Sequence, residues 1–294
     1  MKDSNIKREQ LHIACNGFDY EISILEGGSG PTVLLLHGLM HSGRRWGNLI
    51  ELFSNAFRLY APDLPGFGYS PPIQSQSIDL ETYTDILECL CAKLSNGREF
   101  HAVVADSLSG ILVLKLLQRR KVLARRIMLS GVPTSGIPAL SKLAAYPRLF
   151  SSSLSALRLL PSKVASRLII LGSFITVQNY KDIDEEFIEA ILEADPKTAS
   201  LLLKRICETR LDSVTCPNNL QTIIVRGERD RIASRKDLEQ LALQMRASYY
   251  EVKHSGHTPM LESPQEYNRL VGDLLCATQG GESEWTERLV RSNV

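Results

Sequence analysis

Strand-like and helix-like segments take turns along this chain, and that alternation limits its fold more than any other feature. The run Thr32-Val33-Leu34-Leu35-Leu36 is apolar without interruption and stops at His37-Gly38. A run with no polar face suits a strand covered on both sides of a parallel sheet. Further strand-like segments occupy residues 57–61, halted by Pro62, and residues 100–105. Others lie at 126–129, halted by Gly131 and Pro133, and at 221–225 and 248–252. Two earlier strands, 11–15 and 19–25, flank the turn pair Asn16-Gly17. Between the runs lie helical patterns. Leu80, Tyr83, Ile86, Leu87, Leu90 and Leu94 keep the three-and-four spacing of one buried face, and 108–117, 236–245 and 267–276 read likewise. The order predicts the α/β class: a mostly parallel eight-stranded sheet with helices on both faces.

One stretch departs from the alternation. Residues 133–216 hold no good strand, only helical segments near 138–149, 161–171, 183–193 and 196–209. They predict a helical cap inserted after strand 6. The chain then divides into a first core part at 1–132, the cap at 133–216 and a second core part at 217–294. From Ala277 onward Gly280-Gly281 and many polar residues suggest a frayed end with a short helix around Trp285.

Composition mainly excludes. With 294 residues, 44% of them hydrophobic, the chain can bury one large domain plus an insertion. A net charge of +1, from 34 basic and 33 acidic residues, offers no patch for nucleic acid. The first ten residues lack the apolar run of a secretory signal, and the longest apolar stretch, 168–175, is too short to span a bilayer. Cys15, Cys89, Cys91, Cys207, Cys216 and Cys276 are spaced like neither a disulfide framework nor a zinc ribbon. Scattered thiols suit a reducing compartment, so a cytoplasmic location is expected. His254 and His257 lie three apart, but Gly256 and Pro259 mark a loop rather than the helix that would aim both at one metal. No metal or cofactor is expected, and oligomeric state is not readable.

The segment Val103-Val104-Ala105-Asp106-Ser107-Leu108-Ser109-Gly110 passes from a strand straight into a helix. A serine on so tight a turn sits in a strained conformation, and small neighbours are needed because main chain crowds it. Its hydroxyl also lies at a helix start, where N–H groups favour negative charge. Ser151-Ser152-Ser153-Leu154-Ser155 has similar spacing but no preceding strand. The bland alternative for Ser107 is a helix cap.

A serine hydroxyl needs a base within hydrogen-bond reach, and the base needs an orienting carboxylate. His257 follows the last strand and Asp230 follows the seventh. All three side chains thus fall beyond the carboxyl ends of strands, where open α/β sheets place their sites. Glu228 lies close to Asp230, but reads as a strand-end residue with an exposed arginine partner. Asp106 reads as solvated or loop-bonded. His41, Arg44 and Arg45 read as the exposed start of a helix, with His41 able to line a pocket mouth. The N–H groups of Leu108 and Leu39, with Met40 as the fallback for Leu39, are the candidate oxyanion donors.

The chain resembles the α/β-hydrolase superfamily over almost its whole length. The matching elements are His37-Gly38, Asp63-Leu64-Pro65-Gly66-Phe67-Gly68-Tyr69-Ser70, the turn at Ser107, Gly227 to Asp230, and Gly256-His257. Members usually carry glycine where this chain has Ala105 and Ser109. The resemblance implies a lid-covered pocket between sheet and insertion, and it fixes no substrate.

The expected activity is hydrolysis of an ester-like bond in a small, partly hydrophobic molecule through Ser107, His257 and Asp230. The Leu, Ile, Ala and Phe of the insertion suggest an apolar pocket. Two rivals share these residues: a C–C bond hydrolase or lyase, and a non-catalytic small-molecule receptor.

Overall fold

Each apolar run becomes a strand, and each amphipathic run between them crosses one face of the sheet. The computed structural model describes residues 6–74, 77–211, 213–214, 216–217 and 219–276. The strands are β1 (Lys7–Cys15), β2 (Phe18–Gly27), β3 (Thr32–Leu36), β4 (Arg58–Pro62), β5 (Ala102–Asp106), β6 (Arg126–Ser130), β7 (Gln221–Gly227) and β8 (Ser248–Val252). They form one sheet in the order β1-β2-β4-β3-β5-β6-β7-β8. The pairs β1–β2 and β2–β4 are antiparallel, and every later pair is parallel. The order reverses direction around β3, β4 and β5, which opens a crevice at their carboxyl ends.

Before β7 the chain forms α1 (Gly47–Phe53), α2 (Leu80–Ser95), α3 (Leu108–Gln118), α4 (Ser141–Ala144), α5 (Pro147–Leu157), α6 (Ser162–Gly172), α7 (Glu185–Glu193) and α8 (Pro196–Glu208). After β7 come α9 (Arg235–Met245), α10 (Pro259–Glu262) and α11 (Pro264–Cys276). Successive side chains of a strand point to opposite faces. Accordingly Leu34 and Leu36 pack in one core with α2, α3 and α9, whereas Val33 and Leu35 pack in the other with α1 and α11. Such two-sided burial is why the strand runs lack polar alternation.

Helices α4 to α8 all lie between β6 and β7. The segment near 138–149 is broken rather than continuous. A short 3-10 turn (Pro138–Leu140) leads into α4, and Pro147 opens α5 at its first turn. Proline lacks the N–H that a helix interior needs, so it starts a helix instead of continuing one. Asp184 and Asp195 cap α7 and α8 by accepting the N–H groups of Phe187 and Thr198.

Two expectations change here. Cys15 on β1 and Cys89 on α2 are joined as a disulfide, with Cα atoms 5.9 Å apart. Six free thiols were the expectation, and the pairing removes the cysteine argument for a reducing compartment. Residues 15 and 89 look unrelated in sequence because the α2–β1 packing that unites them is tertiary. The helix expected to start at His41, Arg44 and Arg45 begins instead as a 3-10 turn (Gly43–Trp46) that leads into α1. The tail from Ala277, with its expected helix, lies outside the described residues. Among the described residues no helix is long and apolar enough to cross a membrane.

Candidate active site

Strand β5 ends at Asp106 and α3 begins at Leu108, so Ser107 must turn the chain alone. It does so with φ 47° and ψ −106°, a conformation L residues rarely adopt. The turn is held open by its surroundings. A Cβ on Gly38 would sit 2.6 Å from Asp106 Oδ2 and 3.3 Å from Ser107 Cβ. Only glycine lets the β3 turn lie so close. The Ser109 hydroxyl donates to the His37 carbonyl at 2.5 Å, tying the Ser107 turn to that same loop. Serine in place of glycine at 109 therefore adds a fastening.

The loop after β8 brings in His257. Its Nδ1–H donates to Asp230 Oδ2 at 2.9 Å, and its Nε2 lies 3.0 Å from Ser107 Oγ. Sequence reading named these three residues, and the structure brings them together across separations of 27 and 150 positions. The other Asp230 oxygen accepts the Ile232 and Ala233 N–H groups at 2.7 and 3.0 Å. Burial alone would raise the Asp230 carboxyl, but His257 and those N–H groups hold it below the usual range. Burial would likewise lower the His257 imidazole, but Asp230 and Asp106 raise it above its ordinary value. Gly131 makes room for the ring: at φ 56°, its Cβ would lie 2.9 Å from His257 Cε1.

Leu39 lines the cavity beside Ser107, and Leu108 follows Ser107 as the first residue of α3. Leu108 is the first residue of α3, so its N–H has no partner within the helix. Among the described residues no protein acceptor bonds the Leu39 or Leu108 N–H. Met40 completes the turn at φ 58°.

Above Ser107 is a cavity of about 270 Å³. Its floor is Ser107, His257, Asp106 and the 38–41 turn, and its walls are mostly apolar residues of the helical segment, among them Leu140, Phe150, Leu154, Leu157, Phe187 and Ile191. The apolar pocket expected from composition is therefore present.

Several neighbours of the site read differently in the sequence. Asp106 is not solvated: it is 3% exposed, and its Oδ1 has no hydrogen-bond partner among the described residues. Burial pushes its carboxyl up to about 7. His41 is buried rather than exposed, edge-on to Phe187 at 5.1 Å, and its Nδ1 has no partner among the described residues. Burial, with Arg45, His37 and His257 nearby, drives its imidazole well below the ordinary value. Arg44 and Arg45 are not free at a helix start. Arg44 pairs with Glu189 and Glu193 of α7, and Arg45 with Asp184 and Glu186. Their charges gave no hint, since the partners lie about 140 residues on. Glu228 accepts the backbone N–H of His254 at 3.0 Å, so its partner is an amide and not an arginine.

Glu262 and Thr176 were missed altogether. Glu262 accepts the Gly256 and Gln178 N–H groups at 2.8 and 2.5 Å, and the His257 N–H donates to the Thr176 carbonyl at 2.6 Å. The helical segment thus grips the loop that carries His257. A glutamate five residues after the histidine was the only available signal. No group of three or more metal-ligating side chains gathers among the described residues.

Comparison with known proteins identifies the family and the fold. Residues 33–270 match the model of the alpha/beta hydrolase family. The chain is 28% identical to a pimeloyl-[acyl-carrier protein] methyl ester esterase of Nitrosomonas europaea, covering 84% of this chain and 96% of that one. It is 22% identical to a 2-hydroxymuconate semialdehyde hydrolase of Pseudomonas sp., covering 85% and 89%. A thermophilic esterase from Thermogutta terrifontis superposes with a TM-score of 0.71 at 19% identity, over 96% of this chain and 99% of the other.

Proposed function

This chain belongs to the α/β-hydrolase family, and from that premise we propose that it is a serine hydrolase cleaving an ester-like bond in a small, partly hydrophobic substrate. The observation that carries the proposal is the pair of contacts at His257, 3.0 Å to the Ser107 hydroxyl and 2.9 Å to the Asp230 carboxylate, on the floor of an apolar cavity. Residues 133–216 act as a cap over that cavity.

In the first half-reaction Ser107 Oγ bonds to the substrate carbonyl carbon while its proton passes to His257 Nε2. Asp230 holds the imidazole in the tautomer that can accept it. The Leu39 and Leu108 N–H groups bind the oxyanion as the carbonyl π bond opens. When that bond re-forms, the alcohol leaves with the proton from His257 and an acyl-serine remains. Water then attacks the acyl carbon, giving a proton to His257. Collapse returns that proton to Ser107 Oγ and releases the acid. No cofactor or metal enters any step, and the substrate and water are the only reactants required.

The test is covalent. A fluorophosphonate should label wild-type protein at Ser107 and leave Ser107→Ala unlabelled, as read by mass spectrometry. A panel of acyl esters, thioesters and lactones should then show turnover. A second reading, carbon–carbon hydrolysis, is favoured by the relative named as a 2-hydroxymuconate semialdehyde hydrolase. Vinylogous 1,5-diketones in the panel separate the two. A protein that neither labels nor turns over any compound makes the proposal wrong and leaves the receptor reading on this fold.

A further inference from the structure

The first half of the helical segment is chemically one-sided. Between Asp106 and Asp182 the chain has no acidic residue, yet residues 133–181 contain Lys142, Arg148, Arg158, Lys163, Arg167 and Lys181. All six are exposed. None pairs with a carboxylate among the described residues. The same stretch is rich in exposed apolar side chains: Leu159 is 86% exposed, Leu171 71% and Leu149 66%. Exposed single leucines are ordinary, but several on one helix face mark a surface that meets something apolar.

Helix α6 shows the arrangement best. Ala165 and Ile169 face inward, while Val164, Leu168 and Leu171, spaced four and three apart, form an exposed strip. Lys163 and Arg167 flank that strip. Tyr146 and Tyr180 are also exposed, and aromatic rings with a polar tip favour a membrane–water boundary. The strip also runs into the cavity: Leu143 and Leu168 are 41% and 45% exposed, yet both line it. An apolar path therefore leads from the surface to Ser107.

We propose that the exposed face of α6, with Leu143 beside it at the cavity mouth, docks on an anionic lipid surface, with that mouth turned toward the bilayer. Charge decides the occupant. A second copy seated on the same face would set cations against cations with no carboxylate to relieve them. A bilayer with anionic headgroups offers negative charge and an apolar interior at once, which is what a cation-flanked leucine strip matches. The docking rests on no chemistry at Ser107. The substrate it implies, an amphiphile drawn from the lipid, does rest on the serine hydrolase reading.

The experiment is flotation with vesicles of phosphatidylcholine alone, or with phosphatidylcholine and phosphatidylglycerol in about equal amounts. It uses Ser107→Ala protein, so that no lipid is consumed. Binding should favour the anionic vesicles at least about tenfold and weaken with salt. Adding Leu159→Ser with Leu171→Ser should weaken it about tenfold. Adding Lys163→Glu with Arg167→Glu should weaken it on the order of 100-fold. Carried alone with Ser107 intact, the same changes should leave turnover of a short soluble ester within about twofold. Absence of binding to anionic vesicles overturns the proposal. So does binding that survives loss of both leucines, or a dimer in sedimentation that the leucine changes dissolve. Wild-type protein that fails to label or turn over faults the serine hydrolase reading and leaves the flotation result standing.

Discussion

The sheet rim that holds Ser107, Asp230 and His257 differs in kind from the helical roof above it. At the rim, hydrogen bonds among buried groups join Asp230, His257 and Ser107, and strands anchor the loops that carry them. The roof is fastened by ion pairs at its edge, by the hydrogen bonds of Thr176 and Gln178 to the His257 loop, and by apolar side chains that tolerate exchange. The roof is itself divided. Its α4–α6 half is basic and exposes leucines, whereas α7 carries the acids that hold it to the core. On the proposed reading, one region sets what reaction is possible and the other what reaches it. The lesson is that preorganisation is concentrated where charge develops.

The comparison breaks first, and most severely, at Asp230. Asp230→Asn should lower kcat about 10,000-fold while the fold persists, because the imidazole loses its tautomer and its counter-charge. Steady-state kinetics with a thermal melt check both halves of that expectation. Phe187→Ala tests the roof by removing a ring that packs on His41 and lines the cavity. It should cost about 3 kcal/mol in denaturant unfolding and shift preference toward bulkier acyl groups, with kcat for small esters changed only severalfold. If it cost as much rate as Asp230→Asn, rim and roof would not be separable.

Arg45→Ala should cost about 1–2 kcal/mol, since its side chain is only 6% exposed but its carboxylate partners are partly solvated. The loss should shrink at high salt, and KM should move more than kcat. The smallest expected effect is on pH. His257 acts as a base only when neutral, and its imidazole is raised. The acid limb of kcat/KM should therefore lie above the ordinary histidine value of about 6.5. Asp106 contributes to that rise, so Asp106→Asn should move the limb to lower pH. Stability gives the opposite sign for Asp106 itself. Its carboxyl is raised to about 7, so the stability it contributes is full below its unfolded value and is lost as pH climbs to 7 and above. Melts from acid to neutral pH should show that decline in wild type and a flatter profile in Asp106→Asn.

How much could be read beforehand follows from range. The Ser107 turn was legible because strand, small residues and helix are consecutive. His257 and Asp230 were legible because each follows its own strand. Asp106 and His41 were misread because both look polar and near loops, and only packing reveals that water is excluded from them. The grip of Glu262 and Thr176 on the His257 loop joins residues with no shared local pattern.

By itself the sequence determined the strands and helices, the place of the helical insertion and the three residues that could do chemistry, since strand-end position and residue type are local properties. Tertiary structure alone decided the order in which strands pair, the Cys15–Cys89 link, the burial of Asp106 and His41, and the clasp of Arg44 and Arg45 on α7. Those depend on which distant surfaces meet, and hydrophobic burial, which drives the meeting, is non-directional until the shapes of both partners are set.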